Sequence, residues 1–124
     1  MFLSFEQVCI LHQLEIDKHG GASGFINESA VIAVVHAVEM KAFYASCSVF
    51  ELAAAYGYKL TQCHGFRDGN KRVGASAMLV FLMQFGIDLT ASNDELVAVI
   101  MGVAQGQVSE AELARWLVAK AKPD

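Results

Sequence analysis

The segment CHGFRDGNKRVGASAMLVFLMQFG, Cys63 to Gly86, contains a break in the chain followed by its longest apolar run. The turn DGN at 68–70 ends one helix and starts another, so the N–H groups of Gly69, Asn70 and Lys71 are expected to point at a common spot, as in a backbone nest for an anion. Gly69 can take the positive φ that lets a ligand approach the backbone closely. Two cations, Lys71 and Arg72, follow at once, where the start of a helix already carries partial positive charge. Without an anion each costs roughly 0.3–1 kcal/mol against the helix dipole. A polyphosphate answers that surplus, with Arg72 offering a planar fork and Lys71 a compact point charge. Beyond them, Val73 to Phe85 is apolar on nearly every face, which places this helix at the centre of the molecule, and Gly86 ends it.

Start signals on either side outline further helices. Ser4 with Gln7 forms a capping box for a helix carrying Phe5, Val8, Leu11 and Leu14 that stops at Gly20-Gly21. A loop GGASGFIN follows, and Asn27 can cap a helix striped with Val31, Val34, Val35 and Val38 as far as about Ala42. The next begins near Ser48 and runs through VFELAAAYGYKLTQC. Ser92 with Glu95 and Ser109 with Glu112 are two more capping boxes. The short IDL at 87–89 can be extended but makes no sheet alone. These signals predict an all-α fold of five or six helices around the Val73 to Phe85 helix, with residues 1–124 forming a single domain.

Composition narrows the function classes. Hydrophobic residues make up 55% of the 124 and the mean hydropathy is +0.41, so a dense core is within reach without crosslinks. The longest apolar run is shorter than the ~20 residues a membrane span needs and has two cations at its head. The start MFLSFEQV lacks a basic region and a small-residue cleavage site, so a cytoplasmic location is expected. A net charge of −4 disfavours binding along nucleic acid backbones. Cys9, Cys47 and Cys63 have no CxxC spacing and are expected to be small core residues rather than a disulfide frame or zinc site.

Within HGFRDGNKR, Asp68 beside a phosphate nest suits magnesium, which is held by one or two carboxylates plus substrate phosphates. His64 can act as general base on an acceptor hydroxyl. The set then reads as phosphoryl or nucleotidyl transfer, driven by positioning and charge neutralisation. Each residue also has an ordinary reading: His64 as a surface or satisfied histidine, Asp68 as a turn residue, Lys71 and Arg72 as a solvated helix face. Phe66 is core in either case. A Walker A loop and the protein-kinase signature set are absent.

HGFRDGNKR resembles the signature of the Fic/Doc family, HxFx[DE]GNxR, and within it the death-on-curing branch, where lysine stands between Asn and Arg. HGGASGF resembles the GGxxG loop before the nucleotide-site flap of that branch, and FELAAAYGYKL the helix leading into the motif. The resemblance implies a compact Fic-like helical domain that uses ATP and Mg2+ to modify a protein hydroxyl. It implies that His64 deprotonates the acceptor, Asp68 binds the metal, Gly69, Asn70 and Lys71 line the anion hole, and Arg72 holds phosphate.

Two departures from the AMP-transferring members stand out: Lys71 replaces the glycine of GNGR, and Ala75 stands where their second arginine falls. In the death-on-curing branch such a change goes with kinase activity, the γ-phosphate facing the acceptor and elongation factor Tu being the target. The expectation is therefore a toxin that phosphorylates a Ser or Thr of a translation factor and arrests translation. The alternatives are AMP transfer to a protein hydroxyl, a non-catalytic phosphate-binding module, and a His64/Asp68 metal hydrolase, which has two ligands where catalytic zinc usually has three. No glutamate has Ser or Thr four residues before it, so the inhibitory [ST]xxxE[GN] motif of the family is missing. Restraint is then expected from a separate Phd-like antitoxin whose helix lies in an apolar groove. Gly65 stands where proline is frequent, and His12, His19 and His36 read as structural or surface groups.

Overall fold

The computed structural model describes residues 1–123 and has six helices in chain order: α1 Phe5–His19, α2 Glu28–Tyr44, α3 Val49–Cys63, α4 Asn70–Met83, α5 Asn93–Ala104 and α6 Glu110–Lys120. The architecture is all-α. Ser4, Ser48, Ser92 and Ser109 each accept a bond from the backbone of the third helical residue, whose Gln or Glu side chain accepts the serine's own N–H in return. Asn27 caps α2 by accepting from the Ala30 N–H. Among the described helices only α4 begins without a side-chain cap.

Two boundaries differ from the sequence reading. Helix α4 starts at Asn70, because its first turn carries an exposed Lys71 and an Arg72 that reaches across to α1, neither of which an apolar pattern registers as helical, and it ends at Met83, where the N–H groups of Phe85 and Gly86 bond three residues back to Leu82 and Met83. Helix α2 continues past Ala42 to Tyr44, and its last residues, Phe43 and Tyr44, are exposed, so no burial pattern marks that turn.

Helix α3 lies against α2, α4, α5 and α6, and α4 against α1, α3 and α5, so these two helices share the centre. Tyr56 and Leu60 of α3 and Val73, Met78, Phe81 and Leu82 of α4 are fully buried at their contact. Two glycines allow the close approach. A Cβ on Gly74 would overlap Thr61 Oγ1 and stand 2.9 Å from the Gly57 carbonyl oxygen, and a Cβ on Gly57 would meet Met78 Sδ at 2.8 Å. After α4, Leu89 pairs with the residues that follow α6. Leu89 and Ala121 form an antiparallel bridge, flanked by Lys122 N–H to Asp88 O at 2.9 Å. Nearby, Lys120 Nζ joins Glu95 Oε2 at 2.6 Å, tying the end of α6 to the start of α5.

The three cysteines are free and partly buried rather than in the core, and burial pushes the thiols of Cys9 and Cys63 above their ordinary range. Among the described residues no helix is long and apolar enough to cross a membrane.

Gly74→Ala is expected to destabilise by about 1–3 kcal/mol, because the new methyl meets backbone. Gly57→Ala is expected to cost less, because the Met78 thioether can move and alanine favours the helix. Urea unfolding of both variants checks the order. The Lys120 side chain, followed by the Ser92 N–H, holds the Glu95 carboxyl down at about 2. A carboxyl depressed in the folded state stabilises fully above its ordinary pKa of 4.5 and loses that contribution as pH falls through about 2. Melting of Glu95→Gln should therefore occur below wild type at neutral pH, with the difference vanishing as the pH approaches 2.

Candidate active site

Helix α3 ends at Cys63 and is followed by the C-cap residue His64, which is exposed and adopts a left-handed conformation with φ 50° and ψ 39°. For a residue other than glycine that conformation is strained, so something other than local preference keeps a histidine there. Gly65 follows because α2 presses against it: a Cβ there would overlap the Val31 side chain and lie 3.0 Å from the Asn27 carbonyl oxygen. The glycine in place of the frequent proline thus has a packing cause.

From Gly65 the chain runs alongside the GGASGF loop. Arg67 N–H donates to Gly24 O at 3.0 Å, and Ile26 and Asn27 N–H donate to Gly65 O at 2.8 and 2.9 Å, forming an antiparallel bridge between Phe25 and Phe66. Phe66 points inward and is buried between two rings, with His12 stacked 3.7 Å away at 9° and Phe25 at 5.0 Å and 24°. Phe5 extends the column on the far side of Phe25 at 5.9 Å. Asn70 holds the Phe66 backbone from both sides: its Oδ1 accepts from Phe66 N–H at 3.1 Å and its Nδ2 donates to Phe66 O at 3.0 Å.

Gly69 adopts φ 77° and ψ 18° and starts α4. Its N–H donates to Asp68 Oδ1 at 2.9 Å, so Gly69 shapes the turn by its conformation while its amide is engaged internally. The first intrahelical bond is Val73 N–H to Gly69 O at 2.9 Å, which leaves the amides of Asn70, Lys71 and Arg72 ahead of it without an intrahelical acceptor and without a cap. That is the arrangement an anion fills.

The two cations have different surroundings. Arg72 donates to Gly20 O at 3.1 Å and Glu15 O at 3.5 Å, at the C-terminal end of α1, and lies 3.8 Å from Asp68 Oδ1. Lys71 is exposed. The Asp68 side chain is half exposed, and Gly21 of the loop approaches it so closely that a Cβ there would stand 2.5 Å from Asp68 Oδ2. The residues present fit magnesium brought by a polyphosphate, since one accessible carboxylate stands beside open amides. Among the described residues no three His, Cys, Asp or Glu side chains group as metal ligands.

Beside the turn lies a groove of about 730 Å3 between α1, α4 and α5. Lys18, Lys71 and Arg72 line one part of it and Leu79, Leu96 and Val97 another; His64 and Asp68 are not among its lining residues. Sequence reasoning read His12 as a structural or surface group and gave it no link to the turn; it is 3% exposed and has Nε2 2.7 Å from the Asp68 carbonyl oxygen. Its place on an otherwise apolar face of α1, one turn before Ile16, was the signal available.

The sequence model described as the Fic/DOC family matches residues 2–82, a span that runs from α1 through all but the last residue of α4 and includes the whole turn. The chain is also 29% identical over 116 residues to a protein of Escherichia phage P1 described as "Protein kinase doc", covering 93% of this chain and 91% of that protein. With the signature loop folded between α3 and α4 and the family match spanning most of the helical body around it, the chain belongs to the Fic/DOC family.

Proposed function

We propose that this chain is the toxin of a toxin–antitoxin pair and acts as a protein kinase, moving the γ-phosphate of ATP to a Ser or Thr hydroxyl of a translation factor, elongation factor Tu. The observation that carries this reading is the folded HGFRDGNKR turn, in which an exposed His64 and an accessible Asp68 precede the three open amides of Asn70, Lys71 and Arg72. Lys71 in the place of the AMP-transferring members' glycine, together with the similarity to a protein named as a kinase, favours transfer of the γ- over the α-phosphate.

In this reaction the His64 imidazole takes the proton of the acceptor hydroxyl as its oxygen bonds to the γ-phosphorus. The bond from that phosphorus to the bridging oxygen breaks, and ADP leaves with the bond's electron pair. The amides of Asn70, Lys71 and Arg72 and the Lys71 ammonium bind the phosphate oxygens and hold them in line. Arg72 contributes charge while anchored on α1. Asp68 would hold Mg2+, which would supply neutralisation of phosphate charge.

The groove between α1, α4 and α5 fits an inhibitory helix from an antitoxin chain. Its Leu79, Leu96 and Val97 suit the apolar face of such a helix, and Lys18 and Lys71 suit an acidic residue at the end nearest the turn.

His64→Gly relieves the left-handed strain and removes the base, so it is expected to raise stability by about 1 kcal/mol while abolishing transfer. Labelled ATP identifies the chemistry: γ-label on elongation factor Tu is the expected result, and α-label alone defeats the kinase assignment. Expression of the chain alone should arrest growth, and co-expression of its antitoxin should relieve the arrest. Val97→Asp, in the groove and away from the turn, should keep the arrest and lose the relief; relief that persists with Val97→Asp places the antitoxin elsewhere.

A further inference from the structure

We infer that His12 is a positioning residue for the phosphate site, locking the peptide between Asp68 and Gly69 so that α4 begins with its open amides correctly aimed; this rests on the nucleotide-binding reading above. His12 belongs to α1, far from the turn in sequence, yet it is buried directly beneath it. Its Nε2 lies 2.7 Å from the Asp68 carbonyl oxygen. A carbonyl oxygen only accepts, so Nε2 carries the hydrogen. The N–H of the same peptide, on Gly69, donates to Asp68 Oδ1 at 2.9 Å. Both polar ends of one peptide group are therefore held, and it cannot turn over without breaking both bonds.

That peptide sets the direction in which α4 starts. Its rotation would carry Gly69 away from φ 77° and swing the N–H groups of Asn70, Lys71 and Arg72 with it. Gly69 is itself seated against the histidine: a Cβ there would lie 3.4 Å from His12 Nε2 and 3.4 Å from Ile16 Cδ1. The flat face of the imidazole rests on Phe66 at 3.7 Å. His12 thus has two separable attributes, a donor for the 68–69 peptide and a ring for the aromatic column. The donor is the one that orients the site, and no part of the side chain needs to touch nucleotide or acceptor.

Two substitutions separate them. His12→Phe keeps a ring against Phe66 and removes the N–H, whereas His12→Gln keeps a donor near the Nε2 position and removes the ring. With ATP, Mg2+ and elongation factor Tu, His12→Phe is expected to lower kcat roughly ten- to hundredfold with KM for the acceptor unchanged. His12→Gln is expected to recover kcat to within about threefold of wild type. In parallel, inorganic pyrophosphate added to 15N-labelled protein should shift the amide signals of Asn70, Lys71 and Arg72 in wild type and His12→Gln, and leave them unmoved in His12→Phe. If His12→Phe does not fold, His12→Asn, whose amide is too short to reach Asp68, takes its place. A folded His12→Phe with wild-type kcat and wild-type pyrophosphate shifts overturns the inference, as does a His12→Gln no better than His12→Phe. A wild type that shows the pyrophosphate pattern but no transfer sinks the kinase assignment and leaves the positioning role standing, while a wild type unmoved by pyrophosphate sinks both.

Discussion

Burial of Phe66 is the constraint on which the site depends. Loops between helices ordinarily run over the surface, where water satisfies their backbone. Here the middle of the loop is drawn inward, with the Phe66 ring enclosed by His12 and Phe25. Burying such a ring stabilises by about 1.5–3 kcal/mol, but the peptide groups that go in with it need partners. Asn70 supplies them by bonding both the N–H and the carbonyl of Phe66. With Phe66 fixed inward, His64 and Asp68 are left on the outside, and α4 has to start at Asn70.

The charges around the turn then divide into two kinds. Arg72 stands at the start of α4, where the dipole disfavours it, but reaches the terminal carbonyls of α1, where the dipole favours a cation. Its charge is offset within the fold, and it links two helices while pairing loosely with Asp68. Lys71 has no comparable position and faces solvent. Of the two cations in the motif, the one left uncompensated beside the open amides is therefore Lys71. The loop between α1 and α2 completes the surroundings, since Gly21 passes so close to Asp68 that no side chain fits between them.

Much of this was legible in the sequence because its causes are local. The Ser4, Ser92 and Ser109 boxes act over one turn, and each opens a helix in the structure. The helix-starting turn at 68–70 was legible for the same reason, as were the positive φ of Gly69 and the inward Phe66. Hydrophobic periodicity alone placed this helix from Val73, three residues inside the observed start of α4, because it sees only residues that face the core and Lys71 does not. The end of α2 was missed likewise, since Phe43 and Tyr44 are apolar residues left in solvent. The cysteines were placed too deep: Cys47 lies in the loop between α2 and α3, and for Cys9 and Cys63 small apolar character alone does not say which side of a helix meets the core.

By itself, then, the sequence determined an all-α chain, the capped starts of its helices and the chemical inventory of one turn, all of which arise from interactions between near neighbours. Only the tertiary structure decided how that inventory is deployed: which amides at the turn remain open, which cation the fold already satisfies, and that a histidine on α1 supports the Asp68 carbonyl. Those outcomes depend on groups from different helices meeting in space, where hydrogen-bond geometry and burial choose among partners that no local pattern relates.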